Sequence, residues 1–256
     1  MRGLAPFWRY YGGKNRAARL YPGPEHATIV EPFAGAAGYS CLHYRRNVVL
    51  VDRSPIIAGI WRYLIAVKPS EVLRIPDIPD GGTVDDLPAW VPQEARWLAG
   101  FWCNEGASLP CKSPSKWATR GDDAHNWAGW GNRARARIAR QVPMIRHWRI
   151  IEGDYRESPD IQATWFVDPP YNNQAGSHYK HQPESFTALG EWCQTRDGLV
   201  MVCENEGAAW LPFRPFAKLK ANESRSGGKV SHEVIWTNRA ARLASSGQAL
   251  LFGGAR

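Results

Sequence analysis

Short apolar runs recur along the chain, and each one ends at a polar residue. They lie at 29–30, 48–51, 148–151, 165–167 and 199–203. Runs of this length that are rich in β-branched and aromatic side chains are typical of buried strands. The segment 54–67 instead carries apolar residues at helical spacing, which predicts a helix facing a sheet. Strands and helices in this order predict an α/β fold, in which the runs 148–151 and 165–167 can lie side by side.

The middle of the chain has a different pattern. The segment 68–90 holds several prolines, a Gly-Gly pair and aspartates, so we expect a connector that leaves the sheet. The segment 89–130 is rich in Trp, Gly, Ser and Asn and is expected to be an irregular insert. A helix is predicted over 132–140, with Asn132 as its N-cap and Pro143 at its end.

The remaining elements are predicted from shorter patterns. We expect helices over 39–46 and 186–196, a closing strand over 233–238, a basic loop over 224–229 and a loose tail over 240–256.

Composition bounds the class of protein. The chain has 256 residues and 44% hydrophobic content, which suits one large α/β domain with an insert. No apolar run reaches about 18 residues, so no membrane span is predicted. The N-terminus lacks the apolar segment of a signal peptide, and we therefore expect a cytoplasmic protein. The five cysteines are an odd number without C-x-x-C spacing, so neither a disulfide framework nor a zinc site is predicted.

Asp168-Pro169-Pro170-Tyr171 carries the most specific chemistry in the chain. The strand at 165–167 must stop there, because neither proline has an N–H to donate to a sheet ladder. The Asp168 carboxylate is therefore expected at the carboxyl end of a strand, where open α/β sheets bind ligands. A carboxylate and the Pro169 carbonyl can both accept N–H groups of an exocyclic amine and so localise its lone pair. Otherwise the motif is a strand ending in a proline turn, with Tyr171 in the core.

A second pattern joins a strand, a glycine loop and an acid. The strand at 29–30 is followed by Phe33, Gly35 and Gly38 in a loop, and the next strand ends at Asp52. This spacing is typical of the first βα unit of a Rossmann-like fold, in which the acid accepts hydrogen bonds from ribose hydroxyls. The alternative role for Asp52 is to cap the following helix, which Ser54 and Pro55 begin.

Taken in order, these motifs resemble those of the Dam-type adenine-specific DNA N6-methyltransferases. The matching segments are aromatic-x-Gly-Gly-Lys at 10–14, Glu-Pro-Phe-x-Gly at 31–35 and Asp-Pro-Pro-Tyr at 168–171. The resemblance covers the chain except for the insert and the tail. It implies a Rossmann-like methyltransferase fold over 1–72 and 148–256, with a target-recognition insert over 73–147. It also implies S-adenosyl-L-methionine as cofactor and double-stranded DNA as partner.

The resemblance assigns roles to individual residues. The catalytic residues would be Asp168, Pro169, Pro170 and Tyr171, with Tyr171 stacking on a flipped adenine. The cofactor-binding residues would be Tyr10, Lys14, Phe33, Gly35, Gly38, Asp52, Asp154, Tyr155 and Asp168. Without the family, Gly12-Gly13-Lys14 is only a turn with a solvated lysine, and Asp154 only a turn residue.

The chain has a net charge of +8, which suits a polyanionic partner. Candidate DNA-binding residues are Lys112, Lys116, Arg133, Arg137, Arg140 and Lys180. The three arginines share one face of the predicted helix over 132–140, and a solvated helix face is an equal alternative. His178 and His181 are expected in a DNA-facing loop rather than in a metal site, because no acid or cysteine completes a ligand set.

Several functions remain open from sequence. The same scaffold could methylate cytosine at N4 or act on RNA, and a nucleic-acid-binding protein without turnover is a third alternative. An NAD-dependent dehydrogenase is disfavoured, because Asp168-Pro169-Pro170-Tyr171 would then have no assigned chemistry.

Overall fold

The computed structural model describes residues 3–104, 106–116, 118–119, 129–174, 176–220 and 230–239. Over these residues the chain forms one seven-stranded sheet. Its strands are β1 (Thr28–Glu31), β2 (Asn47–Asp52), β3 (Arg149–Glu152), β4 (Ala163–Val167), β5 (Gly198–Asn205), β6 (Arg214–Lys220) and β7 (Val230–Thr237). The α-helices are α1 (Gly38–Leu42), α2 (Pro55–Ala66), α3 (Pro69–Arg74), α4 (Gln93–Phe101), α5 (Asn132–Gln141) and α6 (Phe186–Gln194).

The strand order is β3-β2-β1-β4-β5-β7-β6. The first five strands in this order are parallel, and β7 runs antiparallel to both β5 and β6. The order 3-2-1-4-5 is that of doubly wound sheets, in which connections leave in opposite directions on either side of one point. Here that point lies between β1 and β4. The expectation of an α/β, Rossmann-like fold is confirmed to this extent: the sheet is mixed and mostly parallel.

Both faces of the sheet are covered, which explains the continuous apolar runs. All five residues of β4 are buried. Phe166 packs into a large core that α2, α4 and α5 share, whereas its neighbours Trp165 and Val167 pack with α6 on the opposite face. Because both faces are covered, side chains on both sides of these strands are apolar, and the sequence does not alternate between apolar and polar residues.

The expected pairing of the runs 148–151 and 165–167 is wrong. β3 pairs with β2 at the sheet edge, and β4 lies between β1 and β5 in the centre. The two strands follow each other in the chain, but β2 and β1 lie between them in the sheet. The loop after β3 therefore meets the loop after β2, and not directly the one after β4.

The segment expected to be irregular is more ordered than its composition indicates. The segment 89–130 contains α4, and the expected connector 68–90 contains α3. Apolar side chains from both join the main core, among them Val72, Leu98 and Trp102. Arg96 of α4 is buried, and its guanidinium donates to backbone carbonyls of the 84–91 turns, which satisfies groups that helices and strands would otherwise pair. The segment 73–147 thus shares one core with the sheet.

Several boundaries also differ from the sequence predictions. Helix α1 ends at Leu42, well before Arg46. Gly131 occupies the N-cap position of α5, and the Asn132 side chain instead accepts a hydrogen bond from Arg135. Strand β6 had no predicted counterpart. The loop 224–229 and the tail 240–256 lie outside the described residues.

Three further features bear on function. All five cysteines are free thiols, and four of them are buried. Among the described residues, no group of three or more His, Cys, Asp or Glu side chains could hold a metal ion. In the same part of the chain, no helix is both long and apolar enough to cross a bilayer.

Candidate functional site

A cavity opens at the carboxyl edge of the sheet, where β1 and β4 diverge. The loops after β1, β2, β3 and β4 line it, together with the N-terminal loop 10–14 and the segment 179–183. Parallel strands bring their carboxyl ends to one edge, so residues from distant parts of the sequence meet here.

Most of the residues that the motifs singled out line this cavity. Its walls include Tyr10, Lys14, Phe33, Gly35, Gly38, Asp52, Asp154, Tyr155, Asp168, Pro170 and Lys180. Pro169 is buried, and neither Pro169 nor Tyr171 lines the cavity.

Asp52 shapes the glycine loop. One carboxylate oxygen accepts the Gly35 N–H at 2.9 Å, and the other accepts the Ser54 N–H at 2.9 Å. Burial raises the pKa of Asp52 to about 6, although the two backbone donors oppose that rise. Each oxygen keeps a lone pair for a further donor. Asp52 therefore both supports the turn before α2 and lines the cavity.

The glycine loop packs directly on the loop that carries Lys14. A Cβ at Gly38 would lie 2.8 Å from the Asn15 backbone nitrogen and 2.9 Å from the Lys14 carbonyl carbon. A Cβ at Gly35, where φ is +44°, would lie 3.0 Å from the Tyr10 ring. Gly38 is thus required by the protein's own backbone, which the sequence did not indicate.

Lys14 is buried between carboxylates. Its side chain is 7% exposed, and Nζ lies 3.2 Å from Asp168 Oδ1 and 3.6 Å from Glu233 Oε2. Nζ also donates to the Tyr171 hydroxyl at 2.5 Å. Burial acts to lower the pKa of Lys14, but Asp168 and Glu233 outweigh it and raise that pKa above its ordinary value. The alternative of a solvated lysine in a turn is therefore wrong.

Asp168 has an ionisation close to neutral pH. Burial raises the pKa of its carboxyl to about 6, the Lys14 ammonium opposes that rise, and Glu233 adds to it. The side chain is 19% exposed and faces the cavity. It can therefore accept a hydrogen bond from a ligand while its other contacts hold it in place.

Tyr171 is held from behind. Its hydroxyl donates to Glu233 Oε2 at 2.5 Å, and the ring packs at the edge of the main core. The Lys14 ammonium lies at the hydroxyl end of the ring, 4.6 Å from the centroid. Contacts at the hydroxyl thus fix the ring, which does not line the cavity.

Asp154 and Tyr155 line the cavity with part of their contacts already made. Asp154 Oδ1 accepts from Arg156 Nε at 2.6 Å and also caps the 3-10 turn Tyr155–Glu157. Tyr155 is buried and stacks on Phe33 with centroids 5.6 Å apart. A ligand donor would share the Asp154 carboxylate with Arg156.

Two buried acids of the site were missed. Glu31 ends β1, is 2% exposed, lines the cavity and accepts the Ser40 N–H at 2.7 Å. Burial raises the pKa of Glu31 to about 8. Glu233 of β7 is the second. A signal existed for both, since an acid at the end of or within an apolar strand requires a partner when buried.

The segment after Tyr171 lies across the cavity. The Tyr179 hydroxyl donates to the Tyr11 carbonyl at 2.7 Å, and Ser108 Oγ donates to the His178 carbonyl at 2.8 Å. At its start, Asn172 N–H donates to Glu204 Oε1 at 2.7 Å. These bonds connect the segment to the N-terminal loop, to Ser108 in the region after α4, and to β5.

The candidate DNA-binding residues are dispersed. Lys180 is exposed at the cavity, and Lys112 is exposed but paired with Asp85 at 2.8 Å. Arg133 and Arg140 are exposed on α5, and Lys116 is also exposed. Arg137 is half-buried, with its guanidinium 4.7 Å from the centre of the Trp102 ring, where burial and the nearby Arg9 and Arg140 lower its pKa.

Comparison with known proteins adds little to this geometry. No protein-family model matches the chain, and no curated protein matches it. Among solved structures, a conserved hypothetical protein from Streptococcus pyogenes is similar at 10% identity and a TM-score of 0.32, over 88% of this chain and 92% of that one. Similarity at this level carries no information on function.

Proposed function

We propose that the protein is an S-adenosylmethionine-dependent DNA adenine N6-methyltransferase with the corresponding Rossmann-like fold. One observation carries the proposal. The loop 10–14, the glycine loop, Asp52, Asp154 and Asp168 come from five separate parts of the sequence and surround one cavity. Any parallel sheet brings its strand ends to one edge. The support therefore lies in the kinds of side chain that meet there and in the loop 10–14, which follows no strand and still lines the same cavity.

The charges around the cavity suit a cationic cofactor. Lys14 is placed between Asp168 and Glu233, and Glu31 is a further buried acid in the wall. A sulfonium ion is favoured near carboxylates, whereas the pyrophosphate of a dinucleotide would be repelled. The antiparallel β7 also departs from the parallel six-stranded order of the dinucleotide-binding fold. Both points disfavour an NAD-dependent enzyme.

The wall also offers groups for the rest of this cofactor. Asp52 keeps lone pairs for ribose hydroxyls, and the stacked rings of Phe33 and Tyr155 provide apolar surface for an adenine. Because Lys14 is engaged with two carboxylates, its role is to hold Asp168 rather than to bind the cofactor carboxylate. That assignment departs from the role implied by family resemblance.

Asp168 and Pro169 would act on the target amine. The Asp168 carboxylate lines the cavity and would accept one N–H group. The family resemblance assigns the second N–H to the Pro169 carbonyl, and together the two acceptors would localise the nitrogen lone pair for attack. S-adenosylmethionine, when bound, would supply the electrophilic methyl group and leave as the neutral thioether S-adenosylhomocysteine. With a pKa of about 6, Asp168 can also take up the proton that the amine releases after transfer. Positioning and electrostatics then supply the rate.

DNA is the proposed polyanion, and the target base leaves the stack to reach the cavity. Extrusion costs a few kcal/mol, and stacking on an aromatic ring returns roughly 1–3 kcal/mol. The stacking role that the family resemblance implies for Tyr171 requires its ring to become open to the cavity, which it does not line.

The test is transfer of labelled methyl groups. The purified protein is incubated with unmethylated duplex DNA and methyl-labelled S-adenosylmethionine, and the nucleosides are then separated and identified by mass. N6-methyladenine is the expected product. A duplex whose adenines already carry N6-methyl groups is the matched control and should take up no label.

Other products would change the proposal in defined ways. N4-methylcytosine would keep the transfer chemistry and overturn the base. Label in RNA but not in DNA would overturn the substrate. If a separate measurement detects binding of S-adenosylmethionine but no nucleic acid is labelled, the assignment of the protein as a methyltransferase is wrong.

A further inference from the structure

Glu233 lies on β7, far in sequence from every motif that the proposed function uses. Its side chain is 5% exposed. Oε2 accepts from the Tyr171 hydroxyl at 2.5 Å, and Oε1 accepts from Ser231 Oγ at 2.9 Å. Both oxygens are engaged, so the carboxylate has a defined orientation.

We propose that Glu233 is a positioning residue for the methyl transfer, acting on the turn 168–171 through Tyr171 and on the charge of Asp168 through Lys14. The inference rests on the proposed function and assigns it a further residue.

The contacts form a closed set. The Lys14 ammonium reaches Asp168 Oδ1 at 3.2 Å, Glu233 Oε2 at 3.6 Å and the Tyr171 hydroxyl at 2.5 Å. The Tyr171 hydroxyl accepts from Lys14 and donates to Glu233, so its hydrogen bonds are satisfied in one arrangement. Glu233 is therefore the group that keeps the Lys14 ammonium and the Tyr171 ring in register with Asp168.

Burial makes this set electrostatically coupled. Charges a few ångströms apart with little solvent between them interact strongly, and a lone buried ammonium or carboxylate would be costly. Lys14 carries one positive charge between two carboxylates. Glu233 consequently disfavours ionisation of Asp168, and Lys14 favours it.

Other titratable groups also face Asp168. They are Glu31 on β1, Cys203 and Glu204 on β5, Tyr21 and Tyr179 from loops, and Tyr171 on its own turn. Burial raises the pKa of the tyrosines and of Cys203, so these groups are neutral near pH 7. Glu31 keeps a titratable carboxyl with a pKa of about 8, and it is present in both variants and in the control.

The test compares two variants that should shift Asp168 in opposite directions. Glu233→Gln keeps an oxygen that can accept from Tyr171 but removes the negative charge, so Asp168 should ionise at lower pH. Lys14→Met removes the positive charge, so Asp168 should ionise at higher pH. Each midpoint should move by about one pH unit. The measurement is a carbon-13 titration of the Asp168 carboxyl in the full chain, with its resonance assigned from its absence in Asp168→Asn.

The same variants are then assayed for single-turnover methylation as a function of pH. On the acid side of the pH–rate profile, the pH of half-maximal rate should follow the titration midpoint of Asp168. It should move to lower pH in Glu233→Gln and to higher pH in Lys14→Met. Glu206→Gln is the matched control, because Glu206 is exposed and pairs with His232 near the same strand. It should leave both the titration midpoint and the pH of half-maximal rate unchanged.

The outcomes separate this inference from the proposed function. Unchanged midpoints, or movement in the same direction in both variants, would overturn the role of Glu233. Opposite midpoint shifts in a protein that methylates nothing would overturn the methyltransferase assignment and, with it, Glu233 as a positioning residue for transfer, leaving only the electrostatic coupling. Opposite shifts in both readouts are the expected result.

Discussion

At the residue scale, the site depends on carboxylates that are buried together with a single ammonium. Two charged neighbours act on Asp168 in opposite directions. Burial and Glu233 raise the pKa of its carboxyl, Lys14 lowers it, and the result is a pKa of about 6. A group in this balance responds to changes in charge nearby, including those that a ligand brings.

The first prediction concerns Asp168→Asn. The amide keeps an oxygen that can accept from Lys14, and Glu233 remains near the ammonium, so the fold should survive. One amide orientation would place a donor against the target amine, and the variant cannot take up a proton. Methylation should fall by a factor on the order of 10²–10³, while retention of DNA on a filter stays unchanged.

Turnover near the wild-type rate would show that Asp168 is not catalytic. Equal loss of methylation and DNA retention would instead indicate misfolding, which a thermal unfolding curve would reveal.

The second prediction concerns cofactor affinity and pH. Asp52 and Asp168 have pKa values of about 6 and Glu31 of about 8, all raised by burial. A cationic ligand favours their ionised forms and lowers these pKa values, so its binding releases protons. S-adenosylmethionine should therefore bind more weakly as the pH falls from about 8 to about 6.

S-adenosylhomocysteine is the matched ligand, because it lacks the positive sulfonium. The affinity for S-adenosylmethionine divided by that for S-adenosylhomocysteine, measured by calorimetry, should fall by about threefold to tenfold as the pH falls from about 8 to about 6. A constant ratio would mean that the buried acids do not sense the sulfonium charge.

At the element scale, the site is made by two loops that pack backbone against backbone. The glycine loop after β1 lies on the loop that carries Lys14, and Gly38 is the contact point. Helix propensity alone would favour alanine there, since Gly38 begins α1. Packing instead favours glycine at this position, because the atoms of Lys14 and Asn15 that a Cβ would meet belong to the backbone and cannot rotate away.

The third prediction is that Gly38→Ala destabilises the protein. Overpacking at a close contact costs typically about 1–3 kcal/mol, and the displaced Lys14 loop should also weaken cofactor binding. Gly23→Ala is the matched control, because a Cβ at Gly23 would meet nothing within 4 Å. Chemical unfolding with and without the cofactor measures both effects. Equal stability of the two variants would show that the loops can separate at little cost.

The elements differ in how far the sequence predicts them. β1, β2, β4 and β5 follow from continuous apolar runs, because both faces of these strands are buried. β6 lies at the sheet edge and carries Arg214, Pro215 and two lysines, so it has no apolar run to detect. Strand pairing is a property of the whole sheet, which is why the neighbours of β3 were predicted wrongly. The partners of Lys14 were missed for the same reason, since Glu233 is remote in sequence.

At the scale of the whole molecule, the chain has a net charge of +8, but the candidate DNA-binding residues differ in how free their charges are to contact phosphates. Lys112 is paired with Asp85. Arg137 lies against Trp102, so its removal would disturb packing as well as charge. Arg133 and Arg140 are exposed on α5, and no ion pair to either occurs within the described part of the chain. These two arginines are therefore the best-placed candidates for phosphate contacts.

The last prediction concerns the salt dependence of DNA binding. Each phosphate contact contributes about 0.9 to the slope of log affinity against log salt concentration. Replacing Arg133 and Arg140 together with alanine should weaken binding to any duplex and reduce that slope by up to about 2. Lys112→Ala is the control, and it should change the slope little because Asp85 already neutralises the lysine. If the double variant keeps the wild-type slope, this face of α5 is merely solvated, and the basic contribution to DNA binding must come from another part of the surface.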